Sequence, residues 1–259
     1  MVHRLTLSYF GAPYAGWQRQ KNAVAVQQVV EEALSRLMGE TVKIHGASRT
    51  DAGVHARGQS AHLLGSYDFP EKALVHGTNH HLPADIRVHA AHRMPEGFHA
   101  RKHALGKEYR YRVYCGRVEP ALDAPFVWRV ERSLDVAAMR EALALLPGVH
   151  DFTAFAIEGG SHKSPIRHLF GATLDKYGPE LRFRLWGAGF LRGMVRSIVG
   201  TIVEVGEGKR TVDNMADLLM GRPRAEAGRT AAAHGLVLER VFYPPEWQPV
   251  TGYEGSVEP

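Results

Sequence analysis

The run Gly46-Ala47-Ser48-Arg49-Thr50-Asp51-Ala52-Gly53-Val54-His55-Ala56-Arg57-Gly58-Gln59 sets one carboxylate among glycines and between two arginines. Glycine admits positive φ and lets backbone approach a ligand closely, so this composition suits chemistry at Asp51 better than core packing. Arg49 and Arg57 favour the ionised carboxylate and an anionic or polar target. A turn or helix-capping aspartate uses the same residue types, and the loop alone leaves both readings open.

Three further groups could take part in chemistry. Between Arg87 and Arg117 eight lysines and arginines stand against two acids, Glu96 and Glu108. Such a stretch fits phosphate binding, and it also fits a solvated strand face. Tyr109 and Tyr111 alternate with Glu108, Arg110 and Arg112, which puts both rings on one strand face, either as core or as a stacking surface. Arg192 and Arg196, one helical turn apart, border a stripe of Leu191, Met194, Val195, Ile198, Val199 and Ile202. Each either snorkels to solvent or points into a cleft, where it needs an anionic partner.

The surrounding patterns say which elements position these groups. Leu5, Leu7 and Tyr9 alternate as a strand that ends at Gly11-Ala12-Pro13. Apolar spacing predicts a helix over 26–37 closed by Gly39, then strands over 42–45 and 59–64 that enter and leave the Asp51 loop. A helix over 70–80 and strands over 85–91 and 108–115 come next. The later half carries helices over 135–146, 191–203 and 212–220 and strands over 168–174, 181–186 and 236–243. Strands and helices mixed without strict alternation predict an α+β architecture in two halves, 1–107 and 108–243. The proline-rich end, 244–259, reads as a surface tail.

The totals bound the class. The chain has 259 residues, 44% hydrophobic and 23% charged, enough for one large or two mid-sized globular domains. Its net charge of +5 favours an anionic partner only mildly, so the local basic stretch says more. Cys115 is the single cysteine, which excludes an intrachain disulfide and a cysteine-based zinc site and points to a reducing, cytoplasmic home. No apolar run approaches the ~18 residues of a membrane span, and the N-terminus lacks a signal-peptide core.

Several segments, in order, resemble the tRNA pseudouridine synthase A family. They are Tyr9 to Gln20, Val26-Gln27, Arg49-Thr50-Asp51-Ala52-Gly53-Val54-His55, Asn79 to Ile86, Phe98-His99-Ala100-Arg101, Lys107-Glu108-Tyr109-Arg110-Tyr111, Asp151-Phe152-Thr153 and Met194 to Gly200. Phe10, Ala12, Ser48 and Ser60 depart from the family pattern.

The resemblance implies a pseudouridine synthase fold: two α+β halves sharing a mixed, mostly antiparallel sheet with a central cleft. It implies isomerisation of uridine to pseudouridine at tRNA positions 38, 39 and 40, in the anticodon stem-loop, by a homodimer without cofactor or metal. Asp51 would be the catalytic carboxylate, acting either covalently or by abstracting a ribose proton. Tyr109 would pack on the uracil, Arg196 would partner the carboxylate, and Arg49 would hold the flipped state. Phe98, His99, Ala100, Arg101 and Lys102 would contact RNA. Two rivals remain. One is a catalytically inactive structured-RNA-binding protein. The other is a metal-dependent RNA hydrolase, suggested by His76 with His80 and His99 with His103 but lacking a His-Glu-x-x-His motif.

Overall fold

In the computed structural model, which describes residues 2–65, 67–160 and 163–247, the apolar alternations become strands and the amphipathic runs become helices. In chain order these are β1 (Val2–Tyr9), α1 (Val26–Met38), β2 (Lys43–Gly46), β3 (His55–Leu64), α2 (Glu71–His81), β4 (Ile86–Met94) and β5 (Gly106–Tyr114). Then come β6 (Trp128–Arg129), α3 (Val136–Ala144), β7 (Gly148–Asp151), β8 (Ile166–Tyr177), β9 (Glu180–Gly187), α4 (Met194–Gly206), α5 (Val212–Leu218) and β10 (Leu236–Phe242). The α+β class expected from the sequence is the one found. The chain forms two units, Met1–Leu105 with the chain from Leu238 onward, and Gly106–Val237.

In the first unit β1 lies between β3 and β4, antiparallel to both, with Leu5 opposite Ala61 on one side and Ala91 on the other. β2 pairs antiparallel with β3, His45 opposite His62, and β10 is next to β3 in the sheet order. Leu5, Leu7, Ile44, Leu63 and Ile86 are fully or almost fully buried, and α1 adds Val26, Val30, Ala33 and Leu34 from the expected stripe. α1 stops at Gly39, whose φ of 72° lets its N–H turn back to the Ser35 carbonyl. Within the stripe sits a buried acid the periodicity does not announce: Glu31, held by Arg19 at 2.9 Å and Lys43 at 3.4 Å.

The second unit has the antiparallel order β5-β9-β8-β7, with the short β6 parallel to β5. α4 is buried on nearly all sides. It begins at Met194 rather than Leu191, because Gly193 adopts φ 68° and a side chain there would overlap Ile157.

The expected tail starts later than Pro244. Pro245–Trp247 form a 3₁₀ turn, and the Trp247 ring stacks on His103 at 4.2 Å. Residues 248–259 lie outside the described residues.

Candidate active site

Asp51 is half-buried on the loop between β2 and β3, and backbone bonds grip that loop on both sides of it. On the upstream side the Thr50 carbonyl accepts the Trp17 amide at 3.1 Å, and the Thr50 and Tyr9 hydroxyls share a buried hydrogen bond of 2.8 Å. Downstream, the Gly53 N–H donates to the Tyr14 carbonyl at 3.3 Å, and the Val54 N–H closes a turn on the Asp51 carbonyl at 3.2 Å. Gly16 makes the approach possible. Its φ is 88°, and a Cβ there would lie 2.5 Å from the Thr50 oxygen and 3.0 Å from the Asp51 carbonyl carbon.

Buried side chains hold the root of the loop. Gln59 accepts from the Ser48 N–H at 3.2 Å and donates to the Ser48 carbonyl at 2.8 Å, so one amide group stands in for strand pairing. Trp17 is tied in turn to the start of α1, since its carbonyl accepts the Gln27 amide at 2.9 Å, one of the donors a helix leaves open at its first turn. The Gln27 side chain then reaches the Arg19 amide, the Ile44 carbonyl and Glu31. Phe10, a departure from the expected pattern, stacks on His55 at 4.9 Å, and Ser60, another, shares a hydrogen bond of 2.9 Å with the Tyr243 hydroxyl. Arg49 and Arg57 are both exposed.

The second unit carries the other two candidates. Tyr109 is buried on β5, opposite Leu185, with its ring edge-on to Phe190 at 4.9 Å. Arg196, half-buried in the first turn of α4, donates from Nε to the Ala231 carbonyl at 2.9 Å, while the Ala231 amide returns to the Arg196 carbonyl at 3.1 Å. Tyr111 is fully buried, and its hydroxyl donates to the Ala232 carbonyl at 2.7 Å. Burial pushes its phenol pKa upward, and the positive charge of Arg196 opposes that shift. Arg192 is spent differently, on the Glu158 carbonyl at 3.1 Å.

The segment expected to contact RNA divides by burial. Phe98 and Ala100 belong to a core cluster with Ala47, Met94 and Tyr243, and the Tyr243 hydroxyl donates to the Ala100 carbonyl at 2.7 Å. Arg101 and Lys102 are exposed and His99 is half-buried. Alternation could not separate these residues because the segment is a turn, not a strand.

Among the described residues His45, His62 and His99 bring ring nitrogens within 4.8 Å of one another, a grouping that the i, i+4 histidine pairs did not suggest. His62 Nδ1 accepts the Ala100 amide, and His99 Nδ1 accepts the Arg101 amide, both at 3.2 Å. A neutral imidazole that accepts at Nδ1 carries its proton on Nε2. Both rings therefore carry their proton on Nε2, and for His62 the His45 backbone is a further hydrogen-bond partner. Burial first, then the neighbouring His99 and His45, push the His62 pKa down to about 4.

A family model described as tRNA pseudouridine synthase matches residues 6–101 and 142–244. A tRNA pseudouridine synthase A from Syntrophotalea carbinolica is 45% identical over 95% of this chain and 97% of its own length. The chain belongs to the tRNA pseudouridine synthase A family. A relative of the same name from a Geobacter species is 42% identical over 93% of this chain and 98% of its own, and one from Pseudomonas aeruginosa 41% over 97% and 88%. A solved Cbf5-Nop10-Gar1 complex aligns with TM-score 0.37 and 15% identity over 92% of this chain and 51% of that one, too distant to inform geometry. This family member is thus an isomerase that converts uridine to pseudouridine in tRNA. The matched segments include the Asp51 loop and α4 with Arg196, whereas β5 with Tyr109 falls between them. No helix among the described residues is long and apolar enough to cross a membrane.

Proposed function

We propose that this tRNA pseudouridine synthase modifies uridines 38, 39 and 40 of the anticodon stem-loop, with Asp51 as its catalytic carboxylate. The observation that carries the reading is the placement of Asp51, half-buried on a loop whose backbone is held immediately before and after it. A group that must meet a ribose carbon or its proton gains most from such fixing. Asp51 either bonds to the ribose, splitting one difficult step into two, or removes a ribose proton. As its nitrogen–ribose bond breaks, the uracil turns and rejoins through carbon 5, which then loses its proton to solvent while the freed ring nitrogen takes one up.

A stacked uridine must first be flipped out, at a cost of roughly a few kcal/mol. Packing on Tyr109 returns about 1–3 kcal/mol. Arg49 fills the vacated place, and Arg196 balances negative charge at the reacting centre. Exposed Arg101 and Lys102 bind phosphates, with His99 beside them, while buried Phe98 and Ala100 hold that segment in shape. The same reading carries a cytoplasmic homodimer, one tRNA spanning both subunits.

Comparing pseudouridines in tRNA from cells with and without the protein tests the reading. Loss confined to positions 38–40 supports it. Loss elsewhere, or none, overturns it.

A further inference from the structure

Thr50, immediately before Asp51, is held at two points by residues far away in sequence. Its hydroxyl bonds the Tyr9 hydroxyl at 2.8 Å and its carbonyl accepts the Trp17 amide at 3.1 Å. Anchoring both the side-chain hydroxyl and the carbonyl of one residue restricts its dihedrals, because the adjoining peptide is planar. The direction in which Asp51 leaves the chain is then set by Thr50. Tyr9 is a rigid anchor for this purpose. It ends β1 opposite both Ala56 and Ile86 and is 3% exposed, while Thr50 is 8% exposed, so bulk water does not replace either hydroxyl.

We infer that Tyr9 and Thr50 are positioning residues for Asp51, acting on the reaction through the loop backbone without touching tRNA. The inference rests on Asp51 being the catalytic carboxylate. The neighbouring contacts agree with it: Gly16 and Tyr14 hold the loop at Thr50 to Gly53, so the segment after β1 serves as a template for the aspartate's backbone. A residue that only stabilised the fold would not need to be coupled so closely to the position beside the carboxylate.

The test uses the full-length enzyme and tRNA carrying tritium at uridine carbon 5, which is released when pseudouridine forms. Tyr9→Phe, Thr50→Val, Thr50→Ser and Asp51→Asn are compared in single turnover, with tRNA affinity and thermal unfolding measured on each. A misplacement of about 1 Å costs on the order of 100-fold in rate. Tyr9→Phe and Thr50→Val are therefore expected to slow release about 10- to 100-fold, with affinity unchanged within about 2-fold. Thr50→Ser, which keeps the hydroxyl, should recover most of the rate.

Folded Tyr9→Phe or Thr50→Val at the wild-type rate overturns the inference. So does Thr50→Ser as slow as Thr50→Val, or affinity that falls in step with rate. Continued release by Asp51→Asn would instead overturn the proposed function itself, whereas an inactive Asp51→Asn beside a fully active Tyr9→Phe removes only the positioning role.

Discussion

Polar residues in the β2–β3 loop and in the adjoining start of β3 have separate tasks. Thr50 and Gln59 are buried and hydrogen-bonded to the scaffold, while Asp51 stays half exposed on the backbone they hold. Asp51→Asn keeps the size of the side chain and removes its charge and basicity. It should lower pseudouridine formation on the order of 10⁴-fold or more, as loss of a key catalytic group does elsewhere. Its tRNA affinity, measured by filter binding, should stay nearly that of wild type. Arg101 is exposed on a turn whose neighbours Phe98 and Ala100 are anchored in the core, so its loss costs the fold little. Arg101→Ala should weaken tRNA binding and reduce the slope of log affinity against log salt by about 1, because one phosphate contact and its counterion are removed. An unchanged slope would remove Arg101 from the RNA surface. The sequence made Asp51 and its flanking arginines legible through composition. Burial of Phe98 and Ala100 was not legible, since it depends on Tyr243, far along the chain.

Close backbone approach, more than propensity, shapes the elements. Gly200 lies mid-way along α4, where alanine ordinarily improves a helix by about 1 kcal/mol. Here a Cβ would overlap the Arg229 carbonyl oxygen, a backbone atom with little room to yield. Gly200→Ala is therefore expected to destabilise the protein by about 1–3 kcal/mol, the usual cost of overpacking a core, as read from urea unfolding. A stabilised variant would show that the Arg229 segment moves freely. The same logic explains what could be read from local pattern. α1 and α4 were legible because their apolar stripes repeat at helical spacing over 13 residues each. β6, two residues long, and β7, four, are too short for alternation to register, and they exist only because β5 and β8 offer edges to pair with. β3 starts at His55, before the expected Gln59, since Tyr9 pairs with Ala56 beyond a register shift that the sequence of either strand does not mark.

At the scale of the molecule, the α+β class was legible from the mixture of elements. The return of the chain to the first unit from Leu238 onward was not, because it depends on long-range strand pairing that no local alternation records. Histidines pose the same problem. Their number was visible, yet which ones are buried was not. His3, His62 and His92 are all buried in the first unit, and burial is the leading cause that lowers each pKa. For His62 the folded value is about 4 against an ordinary 6.5. Between those values the unfolded chain binds a proton that the folded chain does not, so unfolding takes up a proton and is promoted by acid. The contribution is complete above pH 6.5 and is lost as pH falls towards 4. His3 and His92 act with the same sign. His62 alone should account for ~2–3 kcal/mol of stability lost between pH 7 and pH 4.5. His62→Asn retains an acceptor for the Ala100 amide and cannot titrate, so it should be less stable than wild type at pH 7 and lose correspondingly less on acidification. Urea unfolding of both proteins across that range checks the sign, and parallel stability curves would show that His62 has no depressed pKa in the folded chain.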